Sequence, residues 1–257
     1  MAQQDFAGRV VLVTGGASGI GRATVHAMTR RGAMVAIADR NSKAAHEFAQ
    51  SLAVEWYQAS SFAVDVSDEL AVEGLISDVV STYGKLDCAV NCAGISDRPV
   101  DMIDMSLDSW DRMIRINQTA IFLCLKYQVK YFLSRDIEQR KGAAIVNVSS
   151  GAGLTPAPGQ IHYTAAKHAV LGLTKYAAQE QIKNNIRINA VCPGYIDTPM
   201  VAETVPQKVI DMLPKVLPRG RMGTPDEMAS VITWLCSFEA NWVNGQSIVV
   251  DGGQIFH

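Results

Sequence analysis

A chain of 257 residues with 48% hydrophobic and 19% charged residues holds enough apolar material for a sizeable core, which excludes wholesale disorder. Its 23 Lys and Arg stand against 25 Asp and Glu, a balance of -2, so there is no broad cationic field to hold nucleic acid or an anionic membrane. Small neutral partners suit that balance better.

The amino terminus, Met1-Ala2-Gln3-Gln4-Asp5-Phe6, has no basic region followed by an apolar run, and no later segment approaches ~18 uninterrupted apolar residues. A soluble, cytoplasmic protein is expected. The first β-branched run, Arg9 to Thr14, passes straight into Gly15-Gly16-Ala17-Ser18-Gly19-Ile20-Gly21 and a helix over Gly19 to Arg31. Glycines here permit a tight turn and close approach of the backbone to a pyrophosphate, which then sits on the positive helix N-terminus. The spacing Gly15, Gly19, Gly21 departs from plain G-x-G-x-x-G, and a turn that only needs positive φ would use glycines too. The second strand, Ala33 to Asp39, ends on an acid that can accept hydrogen bonds from both hydroxyls of an adenosine ribose. This favours NAD, because a carboxylate repels a 2′-phosphate and the loop Gly15 to Gly21 contains no Lys or Arg. Arg40, directly after Asp39, is placed to pair with a phosphate and keeps NADP open.

Further strands are predicted over Phe62 to Val66, Leu86 to Asn91, Ala143 to Ser149, Ile186 to Val191 and Gln246 to Val250. Helical periodicity runs over Asp68 to Tyr83, Ser109 to Leu133, His162 to Lys183 and Pro225 to Ser237. This alternation is that of a parallel sheet with covering helices. With no repeat, polar tract or Pro/Gly/Ser-rich break, residues 1–257 read as one doubly wound α/β domain. Tyr195 to Pro225, with five prolines and three methionines, reads as a substrate lid inserted over the sheet edge. The cysteines, Cys88, Cys92, Cys124, Cys192 and Cys236, are odd in number and sit in apolar stretches, so reduced, packed thiols are expected. Cys88 and Cys92 on one strand would stand roughly 13 Å apart, too far to share a metal ion, and no metal is expected.

Tyr163 and Lys167 are four apart on a predicted helix and so share one face. Such a pair is common by chance, and its company matters more. Gly15 to Gly21, Asp39, Asp65-Val66, Asn91-Cys92-Ala93-Gly94, Asn117, Ser149-Ser150, Tyr163/Lys167 and Pro193-Gly194 through Thr198 together resemble the short-chain dehydrogenase/reductase family in its motif order, over about residues 6–253. The resemblance implies a Rossmann-type sheet of seven parallel strands in the order 3-2-1-4-5-6-7. It implies Tyr163 as general acid/base, Ser150 as the hydrogen-bond partner of the reacting oxygen, and Asn117 as the orienter of a water leading to Lys167. Lys167 would bond the nicotinamide ribose and favour the tyrosinate by its charge. Gly15, Ser18, Gly19, Ile20, Gly21, Asp39, Asp65, Val66, Asn91, Ala93, Gly94, Tyr163, Lys167, Pro193, Gly194, Ile196 and Thr198 would bind the cofactor. Cys92 departs from the usual N-N-A-G.

The pocket should form from Ile95 to Val100, Gly151 to Ile161 and the lid. Its apolar members, among them Leu154, Ile161, Tyr195 and Met200, suit an uncharged, bulky molecule, so a secondary alcohol or its ketone of alicyclic, steroid-like or terpenoid-like character is expected. The family also implies a homotetramer. Two other readings use the same features: a dinucleotide-binding scaffold without turnover, and a cyclase or isomerase. The Asn117, Ser150, Tyr163, Lys167 set argues against the scaffold.

Overall fold

The computed structural model describes residues 4–255; Met1 to Gln3, part of the amino-terminal stretch considered above, and Phe256-His257 lie outside them. Seven strands form one sheet: β1 Val10–Thr14, β2 Met34–Asp39, β3 Ala59–Ala63, β4 Cys88–Asn91, β5 Ala143–Val148, β6 Ile186–Pro193 and β7 Ser247–Val250. All neighbouring pairs are parallel, in the order β3-β2-β1-β4-β5-β6-β7. Strands β1 and β4 to β6 are buried along their whole length; β1 accordingly reads as an apolar run rather than as an alternation, while Asn91, Asn147, Arg187 and Asn189 are buried polar residues within the others.

Helices cover both faces. On one, Leu12, Ala89 and Ile145 pack against Val79 of α3 (Glu69–Tyr83), Leu123 of α5 (Ala120–Ser134) and Val170 of α6 (Ile161–Gln181). On the other, Val11, Val13 and Ile37 meet Val25 of α1 (Gly19–Arg30), Phe48 of α2 (Ser42–Val54) and Ile232 of α10 (Pro225–Cys236). The start of α10 carries a reciprocal capping box between Thr224 and Glu227, worth about 1 kcal/mol. At its other end Arg9 donates to Cys236 O, and Arg187 to Leu235 O and Ser237 O. Two buried guanidinium groups thus sit on the negative end of that helix dipole.

Three expectations need correction. The third strand lies over Ala59–Ala63, not Phe62 to Val66, because its five residues pair in register with Val35 to Asp39 of β2; Asp65 and Val66 fall just beyond its end. The helix expected over Ser109 to Leu133 is two helices, α4 (Leu107–Ile114) and α5, joined by a π-helical turn, Arg115–Thr119. An unanticipated helix, α2, follows β2. Its Asn41 cap and its buried Ala45, Phe48, Ala49 and Leu52 repeat at i, i+3, i+4 and i+7, a pattern readable in the chain.

Between β6 and α10 the chain makes three short helices, α7 (Pro199–Thr204), α8 (Gln207–Ile210) and α9 (Leu213–Val216). Ile196 bridges to Gly223, closing that excursion at its neck.

Candidate active site

In an open parallel sheet, ligands gather beyond the carboxyl ends of the strands, above all where the strand order reverses. Here the reversal lies between β1 and β4. The carboxyl edge carries Gly15 after β1, Asp39 at the end of β2, Asn91 to Gly94 from β4, Ser149 and Ser150 after β5, and Pro193 and Gly194 at the end of β6. Thr14 Oγ1 accepts from the Cys92 and Ala93 N–H groups at 3.2 and 3.3 Å, so the first and fourth strand ends are tied together.

The turn after β1 leaves no room for a side chain at Gly15 or Gly21. Gly15 has φ +65°, and a Cβ on it would stand 2.8 Å from Ala93 Cα; on Gly21 a Cβ would stand 2.1 Å from the Gly15 carbonyl oxygen. Helix α1 begins at Ser18 without a side-chain cap among the described residues and has no acid in its first turn, so its N–H groups are left to meet an anion. Asp39 accepts from Ala17 N–H at 3.1 Å and Asn41 N–H at 2.9 Å, holding the turn against β2. A carboxylate has about four acceptor positions, so capacity remains for ribose hydroxyls. Thr198 stands against Gly19, which brings the start of the Tyr195 to Pro225 segment across to the head of α1, with Ile20 half-buried beside it. These residues fit a dinucleotide. Asp65 accepts from the Ser67 N–H and hydroxyl, which hold its carboxyl below the usual range, helped by Arg40 and Arg115. Val66 is buried next to it.

Asn91 is fully buried, and its amide is engaged away from the edge with Gln128 and Asn147; Asn147 in turn donates to Thr174. The Asn91 amide is thus held in a buried polar network two residues before the Ala93-Gly94 turn. Sequence reasoning missed Gln128, Asn147 and Thr174, although Asn147 stands out as a polar residue inside a buried apolar strand.

The π turn swings Asn117 inward. Its Nδ2 donates to Ile95 O at 3.0 Å and its Oδ1 accepts from Ile95 N–H at 3.2 Å, so it clasps the strand-end loop with both halves of its amide. Gly94 passes directly over Asn117 and Lys167.

Tyr163 and Lys167 lie on one face of α6, with the Lys167 ammonium 5.5 Å from the centre of the Tyr163 ring and donating to Val148 O at 3.0 Å. Burial pushes the Tyr163 phenol above its ordinary value, and the Ser150 hydroxyl pulls the other way. Burial also pushes Lys167 down to about 8. The Lys167 cation stands over the ring, and burial is the largest influence on both groups. Ser150 also accepts from Ala152 N–H, while Ser149 donates to Lys167 O from inside the core. His168 is exposed on α6, its ring bonded to Thr164 O. His162 is fully buried, facing Asp97.

A family model described as Enoyl-(Acyl carrier protein) reductase matches residues 15–254. The chain is similar to a 2,5-dichloro-2,5-cyclohexadiene-1,4-diol dehydrogenase of Sphingobium indicum, at 37% identity over 97% of this chain and 98% of that protein. It is similar to a cyclohexanol dehydrogenase of an Acinetobacter species, at 36% identity over 96% of this chain and 95% of that protein. Among solved structures, a 3-ketoacyl-(acyl-carrier-protein) reductase from Brucella melitensis complexed with NADH superposes with a TM-score of 0.90, at 29% identity over 97% of this chain and 99% of the other.

Proposed function

As the chain belongs to the short-chain dehydrogenase/reductase family of NAD(P)-dependent oxidoreductases acting on CH–OH groups, we propose that it interconverts an uncharged secondary alcohol and its ketone with NAD as the favoured cofactor. The observation that carries this reading is the meeting of Tyr163, Lys167 and Ser150 beside the Ala93-Gly94 turn, at the sheet edge where the Gly15 to Gly21 turn lies. Gly15, Ser18, Gly19, Ile20 and Gly21 hold the pyrophosphate, Asp39 the adenosine ribose, Asp65 and Val66 the adenine, and Ala93, Gly94, Pro193, Gly194, Ile196 and Thr198 the nicotinamide end. The bound cofactor supplies hydride acceptance and donation. Tyr163 exchanges the proton with the substrate oxygen, Ser150 hydrogen-bonds that oxygen, and Lys167 orients the ribose and carries the compensating charge.

Residues 1–257 act as one catalytic domain, with 195–225 as its substrate lid. An apolar alicyclic, steroid-like or terpenoid-like substrate is supported by the pairing of Arg221 with Glu227, which engages that lid charge away from a substrate. The diol and cyclohexanol dehydrogenases among its relatives point the same way. Exposed Phe122 on α5 and Tyr176 on α6 suit assembly as a homotetramer, and five unpaired thiols suit the reducing cytoplasm.

A panel of cyclohexanol, cyclohexane-1,2-diol, menthol and a 3β-hydroxysteroid, read as nicotinamide absorbance with NAD and with NADP, tests this reading. Turnover of at least one alcohol, faster with NAD, is expected; no turnover of any member with either cofactor counts against it. In the same assay Asp39→Ala should raise the KM for NAD about 10- to 100-fold and leave that for NADP unchanged or lower, because the variant loses charge-assisted ribose bonds and a repulsion together. Equal weakening of both would remove Asp39 from the ribose.

A further inference from the structure

Helix α6 bears Tyr163 in its first turn, yet that turn is poorly anchored by its own sequence. Gln160, at the cap position, makes no capping bond with its side chain, and the first turn holds no acid to meet the helix dipole. The anchor comes from another segment. Asp97, six residues beyond Asn91 in the loop after β4, sends its carboxylate to three partners: Arg112 Nη2 donates to Oδ2 at 2.7 Å, Ser109 Oγ donates at 3.3 Å, and His162 Nε2 lies at 3.4 Å. Its backbone oxygen accepts from Gln160 Nε2 at 2.6 Å. One residue thereby joins α4, the start of α6 and the loop that carries Ala93 and Gly94.

His162 immediately precedes Tyr163 and is fully buried. The Asp97 carboxylate can only accept, so Nε2 directs an N–H at it, while the buried Nδ1 has no hydrogen-bond partner among the described residues. A buried polar atom left unpaired is costly, and a phenylalanine of similar shape would avoid that cost. What histidine supplies here and phenylalanine does not is the N–H directed at Asp97.

We infer that Asp97, acting through His162, is a positioning pair that fixes Tyr163 opposite Ser150 while holding the β4–α4 loop against the substrate pocket. This rests on Tyr163 being the acid/base group. Neither residue touches the reacting atoms; their effect is on where the phenol stands when the alcohol arrives, and small displacements of a proton-transfer group are expensive in rate.

The test uses the full chain and the alcohol of the panel above that is turned over fastest. His162→Phe and Asp97→Ala should each lower kcat about 10- to 100-fold. His162→Gln, which offers an N–H near the place of Nε2, should recover most of the loss. The double variant His162→Phe/Asp97→Ala should be no slower than the worse single one, because both remove the same link. Affinity for NADH, read by energy transfer from tryptophan, should stay within about twofold of the parent in every variant, since the link does not hold the cofactor. Additive losses in the double variant, no rescue by glutamine, or kcat unchanged in His162→Phe would each overturn the inference. Parallel loss of NADH binding would overturn it too, by showing a general disturbance of the fold. Should Asp97→Ala not fold, Asp97→Asn keeps the shape and the Arg112 contact and is compared in the same way. Tyr163→Phe separates the two levels: an active Tyr163→Phe removes the acid/base premise, whereas an inactive one beside a fully active His162→Phe removes only the positioning role.

Discussion

Replacing Tyr163 with phenylalanine should lower kcat for alcohol oxidation by about three orders of magnitude while NADH affinity stays nearly unchanged. The ring remains to fill its place under the Lys167 ammonium, 5.5 Å away, so the fold and the cofactor groove keep their packing and only the proton-transferring oxygen is lost. A variant that oxidises alcohol at the parent rate would exclude the phenol from the chemistry. The same group sets the pH dependence. Because burial raises the Tyr163 phenol above its ordinary value, the phenolate that accepts a proton during oxidation is scarce near neutrality and grows as pH rises. Oxidation should therefore climb as pH rises from neutrality, until Lys167, which burial pushes down to about 8, gives up its charge. Ketone reduction, which uses the protonated phenol, should stay level over the same rise. Steady-state profiles of both directions from pH 6 to about 10.5 check this, and oxidation that peaks below pH 7 would refute it.

How far the chain announces this site depends on the kind of contact each residue makes. The edge of the sheet is legible because it rests on local rules: short runs rich in valine, isoleucine and alanine for doubly buried strands, glycines where β1 turns into α1, an acid closing β2, and a tyrosine and a lysine one helical turn apart. The third strand is not legible locally because Ala59-Ser60-Ser61 has little β character of its own; its position comes from pairing with Val35 to Asp39, a non-local contact. The break at Asn117 was invisible for a similar reason. Leu107 to Ser134 keeps a helical pattern throughout, and the π turn is set by the bonds of the Asn117 amide to Ile95, which belongs to another segment. Asn91 and Asp97 show the same limit from opposite sides. Asn91 belongs to a familiar run, but its amide points into a buried network with Gln128 and Asn147. Asp97 belongs to no motif, yet it joins three elements.

Lys167 is where stability and function pull apart. It is buried, it finds no carboxylate within ion-pair distance among the described residues, and its one hydrogen bond goes to Val148 O. The neighbouring Cys92 thiol, pushed up to about 12 by burial, stays neutral and supplies no counter-charge. An ammonium held in this way ionises near 8 in the folded chain, against about 10.5 when unfolded, which corresponds to roughly 3 kcal/mol of destabilisation while both states are charged. Below pH 8 that cost is fully present. Between about 8 and 10.5 the folded chain releases the proton while the unfolded chain keeps it, so this residue makes stability rise with pH across that window. Lys167→Met keeps the length of the side chain and removes the charge. It should raise Tm at pH 7 by about 3–6 °C after allowing for the lost bond to Val148 O, and it should abolish that rise between pH 8 and 10.5. Turnover should meanwhile fall at least about 100-fold, because a methyl thioether neither bonds a ribose nor compensates charge on the phenol. Thermal unfolding followed at pH 7 and pH 9, beside the alcohol assay, reads both effects on one preparation. A variant that melts below the parent at pH 7, or that keeps its turnover, would mean that the ammonium is stabilised by something other than the groups around it here, and that its burial serves packing rather than catalysis.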